Sequence, residues 1–299
     1  MAYQIQSGAI RRAPTYGHHK LDKEQASALG WTSSIISKKT AESLSCLVLD
    51  IKFGKAALFK TEAEALELAT SLVEVSCSLG TKTSAILSSM SSPIGLCIGN
   101  AIEISECLSG LHGNGHSDLM NLVYTLGGEL LRLNGKVQSV EDGQKRIKEV
   151  INNGQALEKF RQMLTFQGVD ADFAQKLCCK EANTKEMLKI AEKKTLLINE
   201  KCTGYIECID GLTIATVLRK YGAGRLKSSD ALKHGIGIEL KAHVGEKLEK
   251  GCVWATFYHE DIDVPKTDKD LLQNALHITP EQIPVENLGR VSKIISEPQ

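Results

Sequence analysis

The chain has no net charge to spend on a partner. Its 36 lysines and arginines balance 36 aspartates and glutamates over 299 residues. No overall field therefore draws it to nucleic acid or to an anionic membrane, and an anionic ligand would have to be held by local groups. It also lacks any apolar run near the roughly 20 residues that a membrane helix requires, and the first 30 residues have no apolar signal core. The cytosol is the expected compartment. Several chemical signatures are missing as well. There is no Walker A loop, no GxGxxG followed by an acidic residue and no GxSxG elbow, so the common phosphate, dinucleotide and serine-hydrolase sites are not expected. The nine cysteines (46, 77, 97, 107, 178, 179, 202, 208 and 252) contain no CxxC. Their odd number and largely apolar surroundings favour reduced, buried thiols over a disulfide framework, and the adjacent Cys178 and Cys179 have no partner at zinc-ligand spacing.

What is present reads as an ordinary globular composition, 42% hydrophobic and 24% charged, organised as helices around sheets. Residues 1–30 show no sustained period and are expected to form a loosely ordered start, in which "RRAP" and "GHHK" are basic but read as a solvated tail. Ser33 to Ser45 suits an amphipathic helix, and "CLVLDIKF" a strand buried on both faces. In "KTEAEALELATSLVEVSCSLG" the pair Thr61 and Glu64 fits a capping box and Gly80 a helix stop. "TSAILSSM" reads as a second strand. Helix, strand, helix, strand with short connections predicts a parallel sheet covered by helices. Helices follow at "GNAIEISECLSG", at "DLMNLVYTLGGELL" and on both sides of Gly154, the last with Leu157, Phe160, Met163 and Leu164 on one face. Beyond about residue 195 the texture changes to short strands with glycine turns and one helix, "GLTIATVLRKYGAG", as in an α+β domain. The "VGEKLEKG" hairpin has the look of a barrel-sandwich domain but carries no Met-Lys-Met lysine.

Four constellations could carry chemistry. Ser34 and Lys38, four apart on one helical face, could grip two polar edges of a small ligand, or stand in solvent. Asp50 and Lys52 lie at the carboxyl end of a buried strand, where open α/β sheets bind ligands; a rim or buried ion pair is the alternative. Ile94, Cys97 and Glu106 bracket a glycine-bearing helix entry whose carbonyls and carboxylate could hold a monovalent cation. His112 and His116 are four apart, but the intervening Gly-Asn-Gly argues against a shared helical face, and a polar loop is the plain reading.

The order of these segments resembles the thymidine phosphorylase and pyrimidine-nucleoside phosphorylase family, the animal branch in particular. The residues that carry the resemblance are "TSSIISKKTAESLSCLVLDIKFG", "AEALELATSLVEVSCSLG", "PIGLCIGNAIEISECLSGLHGNG", "DLMNLVYTLGGELL", "YGAGR" and "GIGIELKAHVGEKLEKG", from about Thr32 to beyond Tyr258. They correspond to the carboxyl-terminal part of the family pattern. The resemblance implies an α/β fold: a helix-covered, mostly parallel sheet lobe, a remnant of a small helical lobe, and a C-terminal α+β domain. The expected divisions are a divergent start over 1–30, the helical-lobe remnant over 31–45, the phosphorylase domain over 46–194 and the terminal domain over 195–299. The passage from the Ser34 helix into the strand would then be a hinge crossing, with Asp50 and Lys52 facing a cleft that closes on substrate.

The activity implied is phosphorolysis: thymidine and phosphate give thymine and 2-deoxyribose 1-phosphate. The sugar becomes oxocarbenium-like while negative charge grows on the departing base. Ser34 and Lys38 match the family's pyrimidine contacts, Lys38 as the group that stabilises that charge. Ile94, Cys97 and Glu106 match a potassium site of some bacterial members. The resemblance further implies phosphate as co-substrate, no organic cofactor, a homodimer, and no nucleic-acid or membrane partner. The family's phosphate-binding residues fall upstream of the matching region, so no phosphate-binding residue is assigned. The alternative function is a catalytically inactive truncated form that binds pyrimidine weakly or associates with an intact subunit. A phosphoribosyltransferase of similar plan would need a diphosphate site, and none is recognisable.

Overall fold

The structure, a computed structural model, describes residues 3–4, 23–225, 227, 229–260, 263–284 and 289–296. The basic stretches "RRAP" and "GHHK" lie outside the described residues. Among the described residues no helix is long and apolar enough to cross a membrane. The chain divides into two compact units. One comprises Met1–Ser89, Leu122–Ile147 and Arg290–Gln299; the other comprises Met90–Asn121 and Lys148–Gly289.

The first unit is built on a four-stranded sheet in the order β1-β2-β3-β11 (Tyr3–Gln4, Cys46–Phe53, Lys82–Ser89 and Val291–Ser296). β1, β2 and β3 are mutually parallel and β11 runs antiparallel along β3, so the mostly parallel sheet expected from the sequence is present. β2 is an almost unbroken apolar run because both of its faces are covered. Leu47, Leu49 and Ile51 enter a core with Ala85 and Leu87 of β3. Helix α2 (Glu62–Ser78) places Ala65, Leu68, Ala69, Leu72, Val73 and Ser76 on one buried face, the 3–4 spacing of an amphipathic helix. It starts at the Thr61/Glu64 capping box, with both reciprocal bonds made, and ends before Gly80 at φ +85°. Each buried leucine in this layer contributes about 1.5–3 kcal/mol.

Helix α1 spans Lys23–Ala41, beginning ten residues before the expected Ser33. The "KEQASAL" stretch has too few apolar residues to show a period, yet it is rich in strong helix formers. α1 drops Ile36 into the same core as Leu47 and Leu72, and Thr32 bonds Ser71 of α2 at 3.2 Å. The passage from α1 to β2 lies within one compact unit.

Helices α4 (Ser117–Leu133) and α5 (Val140–Asn152) supply segments to both units. In the first unit they cross closely: a Cβ on Gly143 would lie 2.5 Å from the Gly128 Cα. Glu129 of α4 is fully buried, accepting two bonds from Arg132 at 2.7 Å and one from the Ser84 hydroxyl of β3.

The second unit contains an antiparallel sheet β4-β7-β9-β5 (Cys97–Gly99, Gly237–Leu240, Val253–His259 and Lys193–Ile198). A second antiparallel sheet has the order β10-β6-β8 (Leu276–Thr279, Gly204–Ile209 and Lys247–Leu248). Trp254, Phe257, Leu197, Ile206 and Ile209 form its core with Ile214 and Val217 of α9 (Gly211–Lys220). Because β4 pairs with β7, residues 90–121 associate with the C-terminal strands. The boundary expected at 194/195 therefore falls inside a compact unit. Helix α6 (Gln155–Phe166) buries Leu157, Phe160 and Leu164 partly against Leu108 and Leu177. Met163, at the edge of that stripe, is exposed instead. All nine cysteines are free, but only Cys178 is fully buried, and Cys107, Cys179, Cys202 and Cys252 are exposed. Apolar sequence neighbours do not fix which way a small thiol points.

The α4–α5 crossing gives a stability test. Gly143→Leu has no room against the Gly128 backbone and should lower unfolding stability by about 1–3 kcal/mol or more in urea melts.

Candidate functional site

Ser34 and Lys38 sit on the last turns of α1, both exposed, on the side opposite Ile36. The register that buries Ile36 and Thr32 leaves positions 34 and 38 facing outward. Lys39, next in sequence, is tied to Glu42 at 2.9 Å. Among the described residues no ion pair engages Lys38. The helix thus presents a hydroxyl and an ammonium one turn apart, a pair able to meet two polar edges of a planar ligand.

Asp50 and Lys52 do not face outward from the strand end. They form a buried ion pair that Ser88 of β3 completes, donating to Asp50 while accepting from the Lys52 Nζ at 2.8 Å. The parallel register puts Lys52 opposite Ser88. An isolated carboxylate at this depth would be strongly disfavoured, so lysine and hydroxyl are both needed to hold it. The pair fixes the end of β2 and has no exposed charge to offer a ligand.

In the second unit, the Ile94–Cys97 turn wraps the Glu106 carboxylate of α3 (Asn100–Leu111). The carboxylate accepts the backbone N–H groups of Leu96 at 2.5 Å and Cys97 at 3.3 Å. Gly95, at φ +68°, is required here, because a Cβ would sit 2.6 Å from a Glu106 oxygen. Burial pushes the Glu106 carboxyl above its usual range, and the charges of Asp118 and Glu239 push it further, outweighing the two backbone bonds. Burial likewise raises the neighbouring Glu103 and the Cys97 thiol. The three sequence candidates Ile94, Cys97 and Glu106 are therefore brought together, with Glu106 against the backbone of the turn. A partly buried carboxyl group with two of its roughly four acceptor positions filled, beside other carboxylates, is a setting that a monovalent cation fits.

Glu239 of β7 stands opposite Cys97 across the β4–β7 ladder. Burial alone would raise its carboxyl, but bonds from Lys241, Tyr258 and Lys185 overcome this and bring it to about 2. The Lys185 Nζ reaches Glu239 at 3.0 Å and the Tyr258 hydroxyl at 2.7 Å.

Two family descriptions match the sequence. The α/β domain of the glycosyl transferase family matches residues 31–157, and the pyrimidine nucleoside phosphorylase C-terminal domain matches residues 205–279. The chain belongs to the thymidine and pyrimidine-nucleoside phosphorylase family. It is 37% identical over 269 residues to the thymidine phosphorylase of Homo sapiens, covering 90% of this chain and 55% of that one. It is 39% identical over 224 residues to the rat enzyme, covering 75% and 47%. It is 36% identical over 233 residues to the pyrimidine-nucleoside phosphorylase of Bacillus subtilis, covering 77% and 52%. The chain spans about half the length of these phosphorylase relatives. The matched α/β domain includes Ser34, Lys38, Ile94, Cys97 and Glu106.

Sequence reasoning missed Ser88, Glu129 and the Lys185–Glu239–Tyr258 group. Ser88 is one of several small polar residues of β3, with nothing local to single it out, and Lys185 and Glu239 lie 54 residues apart. Glu239 yields a pH test. Its folded value of about 2 lies below the ordinary 4.5. The stability it contributes is thus complete above about pH 4.5 and lost as pH falls towards 2. Glu239→Gln should be less stable than the parent chain in urea at pH 7, with the gap closing as the titration approaches pH 2. An unchanged gap would show that the carboxylate is not the stabilising species.

Proposed function

We propose that the protein takes part in phosphorolysis of pyrimidine nucleosides, with thymidine and phosphate yielding thymine and 2-deoxyribose 1-phosphate. The reading is supported most by one observation. Within a domain of this family, α1 holds Ser34 and Lys38 outward on one face while its opposite side is locked into the sheet core. As the bond from C1' to the base nitrogen lengthens, the electron pair passes to the base and spreads to its carbonyl oxygens. The Lys38 ammonium stabilises that charge, and Ser34 orients the ring by a hydrogen bond. Phosphate is the nucleophile, and its contacts are not assigned to residues of this chain. Ser34 and Lys38 serve as base contacts, with Lys38 as the catalytic residue.

The Ile94, Cys97 and Glu106 turn is proposed to hold potassium, supplied by two backbone carbonyls and the Glu106 carboxylate. The charge crowding around Glu106 supports a cation there. A cytosolic homodimer without an organic cofactor, acting on small molecules rather than nucleic acid or membrane, completes the proposal.

Two measurements check it. Phosphate-dependent thymine release should fall by at least about a hundredfold in Lys38→Ala, as loss of a group acting on transition-state charge predicts, and by less in Ser34→Ala. Equal rates in Lys38→Ala and the parent would remove the lysine from the mechanism. Replacing choline chloride with potassium chloride should raise the thermal midpoint of the parent chain and not that of Glu106→Gln. An equal response in both would remove Glu106 from any cation site.

A further inference from the structure

His116, Asp118 and His243 meet in the second unit although Asp118 and His243 are 125 residues apart in sequence. Each offers a metal-ligating atom, and these atoms all lie within 4.8 Å of one another. The Asp118 Oδ2 and His243 Nε2 are 3.1 Å apart, and the two imidazole rings lie 4.4 Å centroid to centroid with a 40° tilt. None of the three belongs to the Ser34/Lys38 pair or to the Ile94, Cys97 and Glu106 turn.

We infer that His116, Asp118 and His243 form a divalent transition-metal site, best suited to zinc, that ties the start of α4 to the turn between β7 and β8. Two imidazoles and one carboxylate with a fourth position for water form a recurrent zinc donor set. Bonds of about 2.0–2.2 Å in tetrahedral geometry put ligand atoms about 3.3 Å apart. The Asp118–His243 separation is already there, and the remaining span closes by a small side-chain adjustment.

The positions are held in advance. Asp118 also accepts the Gly95 N–H at 3.1 Å, which fixes its carboxylate. The His243 backbone N–H donates to the Glu246 side chain at 2.9 Å. The same turn is pinned to β6 through Gly245 and Glu246, each bonded to Ile206. Side-chain exposure is 13% for His243 and 8% for Asp118, so the donors are shielded yet reachable. The Glu106 carboxylate, close enough to Asp118 for the two charges to repel, adds negative charge nearby, which favours a cation. The competing arrangement is a plain His243–Asp118 hydrogen bond with His116 stacked beside it. Both arrangements account for the 3.1 Å contact and the stacked rings, and they part on whether a metal is retained.

The test uses the full 299-residue chain, stripped with chelator, reloaded with zinc and passed through gel filtration. One equivalent of zinc should remain. X-ray absorption at the zinc edge should show nitrogen and oxygen neighbours at about 2.0 Å, and no sulfur at about 2.3 Å. The double variant His116→Gln/His243→Gln, if its circular dichroism matches the parent, should retain less than about a tenth of that zinc. A sulfur shell would place the metal on the free cysteines and overturn the assignment. So would full retention by the folded double variant, or no zinc retained by the parent. Should the double variant fail to fold, the absorption spectrum of the parent alone decides between the two donor sets.

Discussion

The register of β2 against β3 is the constraint on which the first unit depends. Alternation along β2 sends Leu47, Leu49 and Ile51 into the core shared with α1 and α2, and leaves Asp50 and Lys52 to the opposite face. A slip of one residue would exchange these sets, placing a carboxylate and an ammonium among leucines. The pairing of Lys52 with Ser88 across the ladder holds the register from the polar side. Glu129, bonded to Ser84 on the same strand as Ser88, ties α4 to that sheet. In the first unit these buried charges are matched group by group, and removing one member of such a set costs about 3–5 kcal/mol.

From that register follows the display of the proposed base contacts. Ile36 and Thr32 seat α1 on α2 and the sheet, and the helical repeat then turns Ser34 and Lys38 outward. In the second unit a similar logic operates with backbone donors. The Ile94–Cys97 turn closes around Glu106 only because Gly95 adopts φ +68° and carries no side chain. Glu239, across the ladder from that turn, is opposed by Lys185 and Lys241 at the rim.

Much of this was legible in the sequence because it is local. The capping box at Thr61 and Glu64, the stop at Gly80, the buried β2 and the helices on either side of Gly154 depend on residues within a few positions of one another. The three-residue grouping at Glu106 was legible through family resemblance, and the turn gives it a geometry. What could not be read depends on distant pairing. The Asp50–Lys52 ion pair was one of two readings open in the sequence, and the Ser88 hydroxyl from another strand that completes it was not visible there. His116 was visible as a loop histidine, but nothing near it indicated His243. The pairing of β4 with β7, which groups residues 90–121 with the C-terminal strands, joins residues about 140 positions apart and so left no local signal.

The claim at the centre of this account is that α1 presents a pyrimidine-binding pair. Calorimetric titration of thymine into the full chain tests it without requiring turnover. The account predicts binding that is lost in Lys38→Ala and retained in Lys39→Ala, since Lys39 is engaged with Glu42. Equal binding by the parent and Lys38→Ala, or loss in Lys39→Ala alone, would contradict it.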